Sequence, residues 1–217
     1  MKLLAIETST DICSIAYIDN GKTISIVEEI IPRKHAELLP VYFWEMSELN
    51  QHLLQYISAI AVSIGPGSFT GLRIGLSYAK GLAYSRGLPI IPVPTLLSLA
   101  DGCSGNHQKS YRVCLYSHGD IYFEQKIVSK VTSENKTSEI SVRRWSESIE
   151  YIDFDETIIE WGCSSYINER SLKNEVITVQ PSAKWIGRLA HKHYKSWMVY
   201  KPYNLVPTYV SPFKLNR

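Results

Sequence analysis

The sequence predicts an α/β fold in which a mixed sheet carries helices on its face. Three observations predict it. Short apolar runs near the start are joined by the hairpin signal Asn20-Gly21, because both central positions of a type I′ turn need positive φ. Helical and strand periods then alternate through residue 101, giving the order βββαβαβα. Glycines at 65, 67, 71, 75 and 81 cluster at one strand-to-helix passage, VSIGPGSFTGLRIGLSYAKGLA, spanning Val62 to Ala83.

Each element has its own signal. Leu3 to Glu7 reads as a strand, followed by a polar turn from Thr8 to Asp11. Cys13 to Ile18 and Thr23 to Glu29 flank Asn20-Gly21, so three antiparallel strands open the fold. Leu38, Leu39, Tyr42, Phe43, Met46 and Leu49 recur at helical spacing within Lys34 to Leu49. Ile60 to Ile64 is a short apolar strand. Ser68 is placed as N-cap of a helix ending at Arg86, with Gly87 as its C-cap. Leu88 to Val93 reads as a buried strand and Pro94 to Asp101 as a short helix.

The composition turns polar from Asp101 to Gln108, which divides the chain into lobes 1–104 and 105–217. In the second lobe, Tyr111 to Tyr116 and Asp120 to Val128 form a hairpin around His118-Gly119. Glu156 to Trp161 is a strand and Ser182 to Tyr194 a helix. The tail from Lys201 is extended by Pro202, Pro207 and Pro212, and residues 129–155 give no clear period.

Bulk properties set the class. The 217 residues are 45% hydrophobic and 20% charged, the balance of a globular protein. A net charge of +2 gives no compositional sign of a nucleic-acid binder, and no apolar run reaches the ~18 residues of a membrane span. Cys13, Cys103, Cys114 and Cys163 form no CxxC pair and read as reduced thiols of a cytoplasmic protein.

The glycine passage admits two readings. A strand, a glycine turn and a helix N-terminus can hold a phosphate, and Thr8, Ser9, Gly65, Gly67, Ser68 and Thr70 are the candidate phosphate-loop residues. Yet GPGSFTG lacks the GK[ST] ending of a P-loop and the spacing of GxGxxG. The other reading is packing: Gly71, Gly75 and Ala79 share a face, and each interior glycine costs ~0.5–1 kcal/mol, offset where another element comes unusually close. Both this helix and the one before it carry more than one apolar row. That surplus fits helices sandwiched in the chain's own core, or helices with one face on the sheet and another, with His35, Leu38, Leu39, Tyr42, Phe43, Met46, Leu72, Leu76 and Ala79, for a second protein.

LAIETST, RKHAELLP and GPGSFTGLRIGLSYAKGLA together resemble the TsaB (YeaZ) family of the actin-like ASKHA superfamily. The resemblance is close over residues 1 to about 100; beyond it are traces at Ile121-Tyr122, Ser182-Ala183 and Pro207-Thr208-Tyr209. It implies an actin-like, ribonuclease H-like fold whose second lobe is small and divergent. It also implies a non-catalytic subunit in the synthesis of threonylcarbamoyladenosine beside the tRNA anticodon. The implied partners are a TsaD-like catalytic subunit, docked on the two helices above, and a TsaE-like P-loop ATPase. Contact with tRNA would come only through the complex, and a homodimer is an alternative use of the same face.

The residues bear on catalysis directly. Where the catalytic paralogue carries an HxxxH metal site, this chain has Thr95 and Leu99, and leucine cannot ligate. His52, His107 and His118 are isolated, and His191 and His193 point to different helix faces. Neither a catalytic residue nor a metal site is therefore expected. Glu7-Thr8-Ser9-Thr10 occupies the first phosphate-loop position of an actin-like ATPase, with Glu7 in place of the usual aspartate. Leu115-Tyr116-Ser117 departs from the Asp-Ala-Arg often found at the second. No cofactor is expected beyond weak ATP or ADP at a subunit boundary. Arg143-Arg144, Lys192-His193 and Lys195 read as scattered positive positions. The alternative function is a stand-alone actin-like kinase or carbamoyl transferase, which turnover of ATP by the isolated chain would reveal.

Overall fold

The computed structural model describes residues 1–51, 53–103, 110–128, 136–146, 152–153, 156–169 and 172–210. His52, Pro212 and residues 104–108 of the expected boundary Asp101 to Gln108, His107 among them, lie outside them. The chain forms two compact units. The first comprises Met1–Ser98 with Pro181–Thr208, and the second begins at Leu99 and runs to Gln180.

The first unit is built on a five-stranded sheet of order β3-β2-β1-β4-β5. β1 (Lys2–Glu7), β2 (Ile12–Asp19) and β3 (Lys22–Ile30) are antiparallel neighbours. The turn between β2 and β3 places Asn20 at φ 48° and Gly21 at φ 79°, the pair that a type I′ turn needs. β4 (Ala59–Gly65) and β5 (Ile90–Pro94) join β1 in parallel, which requires helical crossovers. Those crossovers are α1 (His35–Leu49) with the short α2 (Leu53–Tyr56), and α3 (Phe69–Arg86). α4 (Thr95–Gly102) follows β5.

Strands buried on both faces need two layers of cover. On one face, Leu4, Ile6, Ile15, Ile60 and Val62 meet Leu39, Tyr42, Met46, Leu76 and Ala79 of α1 and α3. On the other, Leu3, Ala5, Ala16, Ile18, Ala61 and Val93 meet Ala183, Ile186, Leu189 and Ala190 of α6 (Ala183–Trp197). A methyl at Gly187 would lie 2.3 Å from Ile18, so α6 seats directly on β2.

This position of α6 corrects the expected second lobe of 105–217. Residues 181–208 return to the first unit, where α6 covers the second face of its sheet. The tail follows: the 3-10 turn Pro202–Asn204 leads to Thr208, whose N–H donates to the Ile64 carbonyl at 2.7 Å.

The second unit holds a sheet of order β11-β10-β6-β7-β8, with β9 also on β7. β6 (Ser110–His118) and β7 (Ile121–Val128) form the expected hairpin, turning at Gly119 with φ 57°. β8 (Lys136–Thr137) and β9 (Ser141–Arg144) extend β7. β10 (Thr157–Trp161) pairs parallel with β6 and with β11 (Val176–Thr178), and α5 (Ser164–Glu169) connects those two. Tyr122, Trp145, Ile158 and Ile167 form its core.

Candidate functional site

The glycine passage and the turn after β1 meet in the first unit. Ser68 caps α3 as expected: its Oγ accepts from Gly71 N–H at 3.2 Å. The face with Gly71 and Gly75 lies against Thr8. The Thr8 hydroxyl donates to the Gly71 carbonyl at 2.9 Å. A Cβ at Gly71 would stand 2.1 Å from the Thr8 carbonyl oxygen, and one at Gly75 would stand 2.1 Å from Thr8 Oγ1. The element that offsets the glycines is thus the chain's own β1–β2 turn. Gly67 presses equally close on Ser9, and Gly65 is covered by Leu72 and the Thr208 backbone.

The amides at this junction are used internally. Ser68 N–H donates to the Ser9 carbonyl at 2.6 Å, Thr8 N–H to Ser63 Oγ at 3.4 Å, and Ser9 N–H to Glu7 Oε1 at 2.5 Å. Thr8 and Ser9 are buried, whereas Ser68 and Thr70 stay exposed. The Glu7 carboxyl is fully buried; Ser63 Oγ also donates to Oε1, at 3.1 Å. Its Oε2 has no hydrogen-bond partner among the described residues. Burial pushes the Glu7 pKa up, and the nearby Glu28 carboxylate adds to the shift.

The expected partner face divides in two. His35, Leu39, Tyr42, Met46, Leu72, Leu76 and Ala79 are buried in the chain's own core, so they do not form a surface. His35 Nε2 lies 3.0 Å from the Ile12 carbonyl and pins the start of α1 to β2. Tyr42 Oη donates to Glu29, and Met46 Sδ accepts from Ser25 Oγ at 2.9 Å. Leu38 and Phe43 are half-buried. Phe43 packs edge-on to Tyr78 of α3, with ring centroids 5.9 Å apart. Ile74 of α3 is half-buried, and Trp44 of α1 is exposed, 62% accessible. The outer α1–α3 surface is therefore aromatic, but through Trp44 and Tyr78 rather than the inner row.

At the positions of the paralogue's metal pair, Thr95 and Leu99 are both fully buried. In the second unit Tyr116 packs on Gly162, and its ring stacks on Tyr166 at 6.4 Å.

Comparison with known proteins places this architecture. The family described as "TsaD: tRNA N6-adenosine threonylcarbamoyltransferase" matches residues 18–139, more than half of the chain. The chain belongs to the TsaD family. Within that family its whole-length likeness is to TsaB (YeaZ). The Haemophilus influenzae tRNA threonylcarbamoyladenosine biosynthesis protein TsaB is 28% identical over 97% of this chain and 93% of its own length. Escherichia coli TsaB is 40% identical over 102 residues, covering 47% of this chain and 44% of that protein. A Pseudomonas aeruginosa structure described as similar to peptidase YeaZ superposes with TM-score 0.82 at 23% identity, over 97% of this chain and 99% of that one. The fold is the α/β, actin-like one that the sequence predicts.

Proposed function

We propose that the chain is a non-catalytic scaffold of tRNA threonylcarbamoyladenosine synthesis, docking a TsaD-type catalytic subunit on the outer face of α1 and α3. One observation carries this reading. The junction that would bind a phosphate in an active actin-like enzyme is filled by the chain itself, with Thr8 in the glycine groove and its amides turned inward. The names of the TsaB relatives supply the pathway, and the TsaD family match supplies the class of partner. Thr95 and Leu99, in place of a histidine pair, support a passive role.

The docking face consists of Phe43, Trp44, Ile74 and Tyr78. Large, amphipathic aromatic rings of this kind dominate interface energetics. A TsaE-type ATPase would join the assembled pair, and homodimerisation would compete for the same surface.

Size exclusion of the purified chain with a TsaD-type subunit tests the reading, alongside the threonylcarbamoyl transfer rate. Co-elution and a faster transfer are expected, and Trp44→Glu, at an exposed position, should abolish both while leaving the fold intact. Separate elution with an unchanged rate overturns the proposal. So does ATP turnover by the isolated chain that Thr8→Ala removes.

A further inference from the structure

The overall charge of +2 conceals a strong asymmetry. The segment Val176–Arg217 contains seven Lys and Arg and no Asp or Glu, which leaves 16 basic and 21 acidic residues before it. α6 arranges four of those cations. Lys184, Arg188, Lys192 and Lys195 follow one another at intervals of four, four and three residues, so they share one side of the helix. At 1.5 Å per residue they recur about every 6 Å and span about 16 Å. Ala183, Ile186, Gly187 and Ala190 hold the opposite side against the sheet. The close seat of Gly187 on Ile18 fixes which side faces out.

An aromatic ring accompanies the row. Lys184 Nζ lies 4.3 Å and the Arg188 guanidinium 4.6 Å from the centre of the Trp185 ring. Such contacts hold long side chains in place before any ligand arrives, which lowers the entropy lost on binding.

We infer that the outer ridge of α6 is a contact for the phosphate backbone of RNA. Cations at regular intervals suit a polymer whose anions also recur regularly. An amphipathic helix that binds lipid must insert its apolar side, and here that side is committed to the sheet. The reading departs from the expectation of scattered positive residues and of tRNA contact only through the complex. Its choice of tRNA as ligand rests on the proposed function.

The test uses the full chain alone, with an unmodified tRNA transcript as probe, and follows fluorescence anisotropy from 50 to 200 mM salt. Four phosphate contacts predict a slope of log Kobs against log salt of about −3, a loss of roughly 50- to 150-fold over that range. Replacing Lys184, Arg188, Lys192 and Lys195 together by Gln should flatten the slope by about 3 and weaken binding at 50 mM at least ~10-fold. Replacing Lys184, Lys192 and Lys195 by Arg should preserve both. If the fourfold variant loses its far-UV dichroism, the pair Lys192→Gln and Lys195→Gln, both exposed, should still flatten the slope by about 1.5. An unchanged slope in a folded variant overturns the inference. So does absence of tRNA binding by the wild type, or equal affinity for phosphatidylserine vesicles. None of these outcomes affects co-elution with a TsaD-type subunit, so the two readings fail separately.

Discussion

Gly71→Ala and Gly81→Ala change the same helix in the same chemical way, and the structure predicts opposite outcomes. At Gly81 an added Cβ meets nothing within 4 Å. The substitution should therefore return the helix-propensity difference, stabilising the chain by ~0.5–1 kcal/mol. At Gly71 the new carbon would lie 2.1 Å from the Thr8 carbonyl oxygen. Ordinary contact needs about 3.4 Å or more, so α3 must retreat by more than 1 Å from a backbone atom that cannot swing aside. Overpacking of this kind costs about 1–3 kcal/mol, and the Thr8–Gly71 hydrogen bond adds about 1 kcal/mol. After the propensity gain, a net loss of about 2 kcal/mol remains. With a urea m-value of about 2 kcal/mol/M, Gly71→Ala should lower the unfolding midpoint by about 1 M while Gly81→Ala raises it slightly. Equal shifts of the same sign would refute the close approach of Thr8. Gly75→Ala provides a further check, because its clash is with the Thr8 side chain. Adding Thr8→Ala should recover about 1 kcal/mol of that loss.

Three other outcomes follow from buried groups. The raised Glu7 pKa means that the folded state binds more protons than the unfolded chain between the ordinary carboxylate value and the shifted one, so stability falls as pH rises through that window. Glu7→Gln should remove this slope, raising Tm relative to wild type more at pH 7.5 than at pH 5. Arg112 is held by Glu156 at 2.7 Å and Glu124 at 2.8 Å, all three buried, and Arg112→Leu should cost about 3 kcal/mol, the low end for a broken buried pair, because Lys126 still holds Glu156 and Arg143 Nε lies 3.7 Å from Glu124. Chemical denaturation followed by Trp fluorescence reads that loss. Burial pushes the Cys13 thiol up to about 12 and raises Cys114 and Cys163 as well. A thiol reagent at pH 8 should leave these three unmodified until denaturant is added.

The first unit was legible in the sequence wherever signals are local. Asn20-Gly21, Ser68 and Gly87 each dictate a backbone conformation within a few residues, and all three appear where expected. The partner face was misjudged because helical periodicity counts apolar rows without saying which row a sheet will cover. Leu39 and Trp44 both lie on apolar rows of α1, yet only contact with β2 and β3 decides that Leu39 is inside. The occupant of the glycine groove was hidden for a similar reason, since Thr8 lies over sixty residues from Gly71 in sequence. In the second unit β8, β9 and β11 are too short to show a period. Lys184, Arg188, Lys192 and Lys195 are spread over twelve residues, and only the helix brings them to one side.

The return of α6 to the first sheet has a consequence for synthesis on the ribosome. Residues 1–98 can pair their five strands as they emerge, but Ala5, Ala16, Ile18 and Ala61 stay wet until a helix encoded about 80 residues later arrives. At about 5–20 residues per second that delay is roughly 4–16 s, during which the nascent half-domain presents a bare greasy sheet. Any truncation before Pro181 would make that transient condition permanent, yielding a chain bound for chaperones or aggregates.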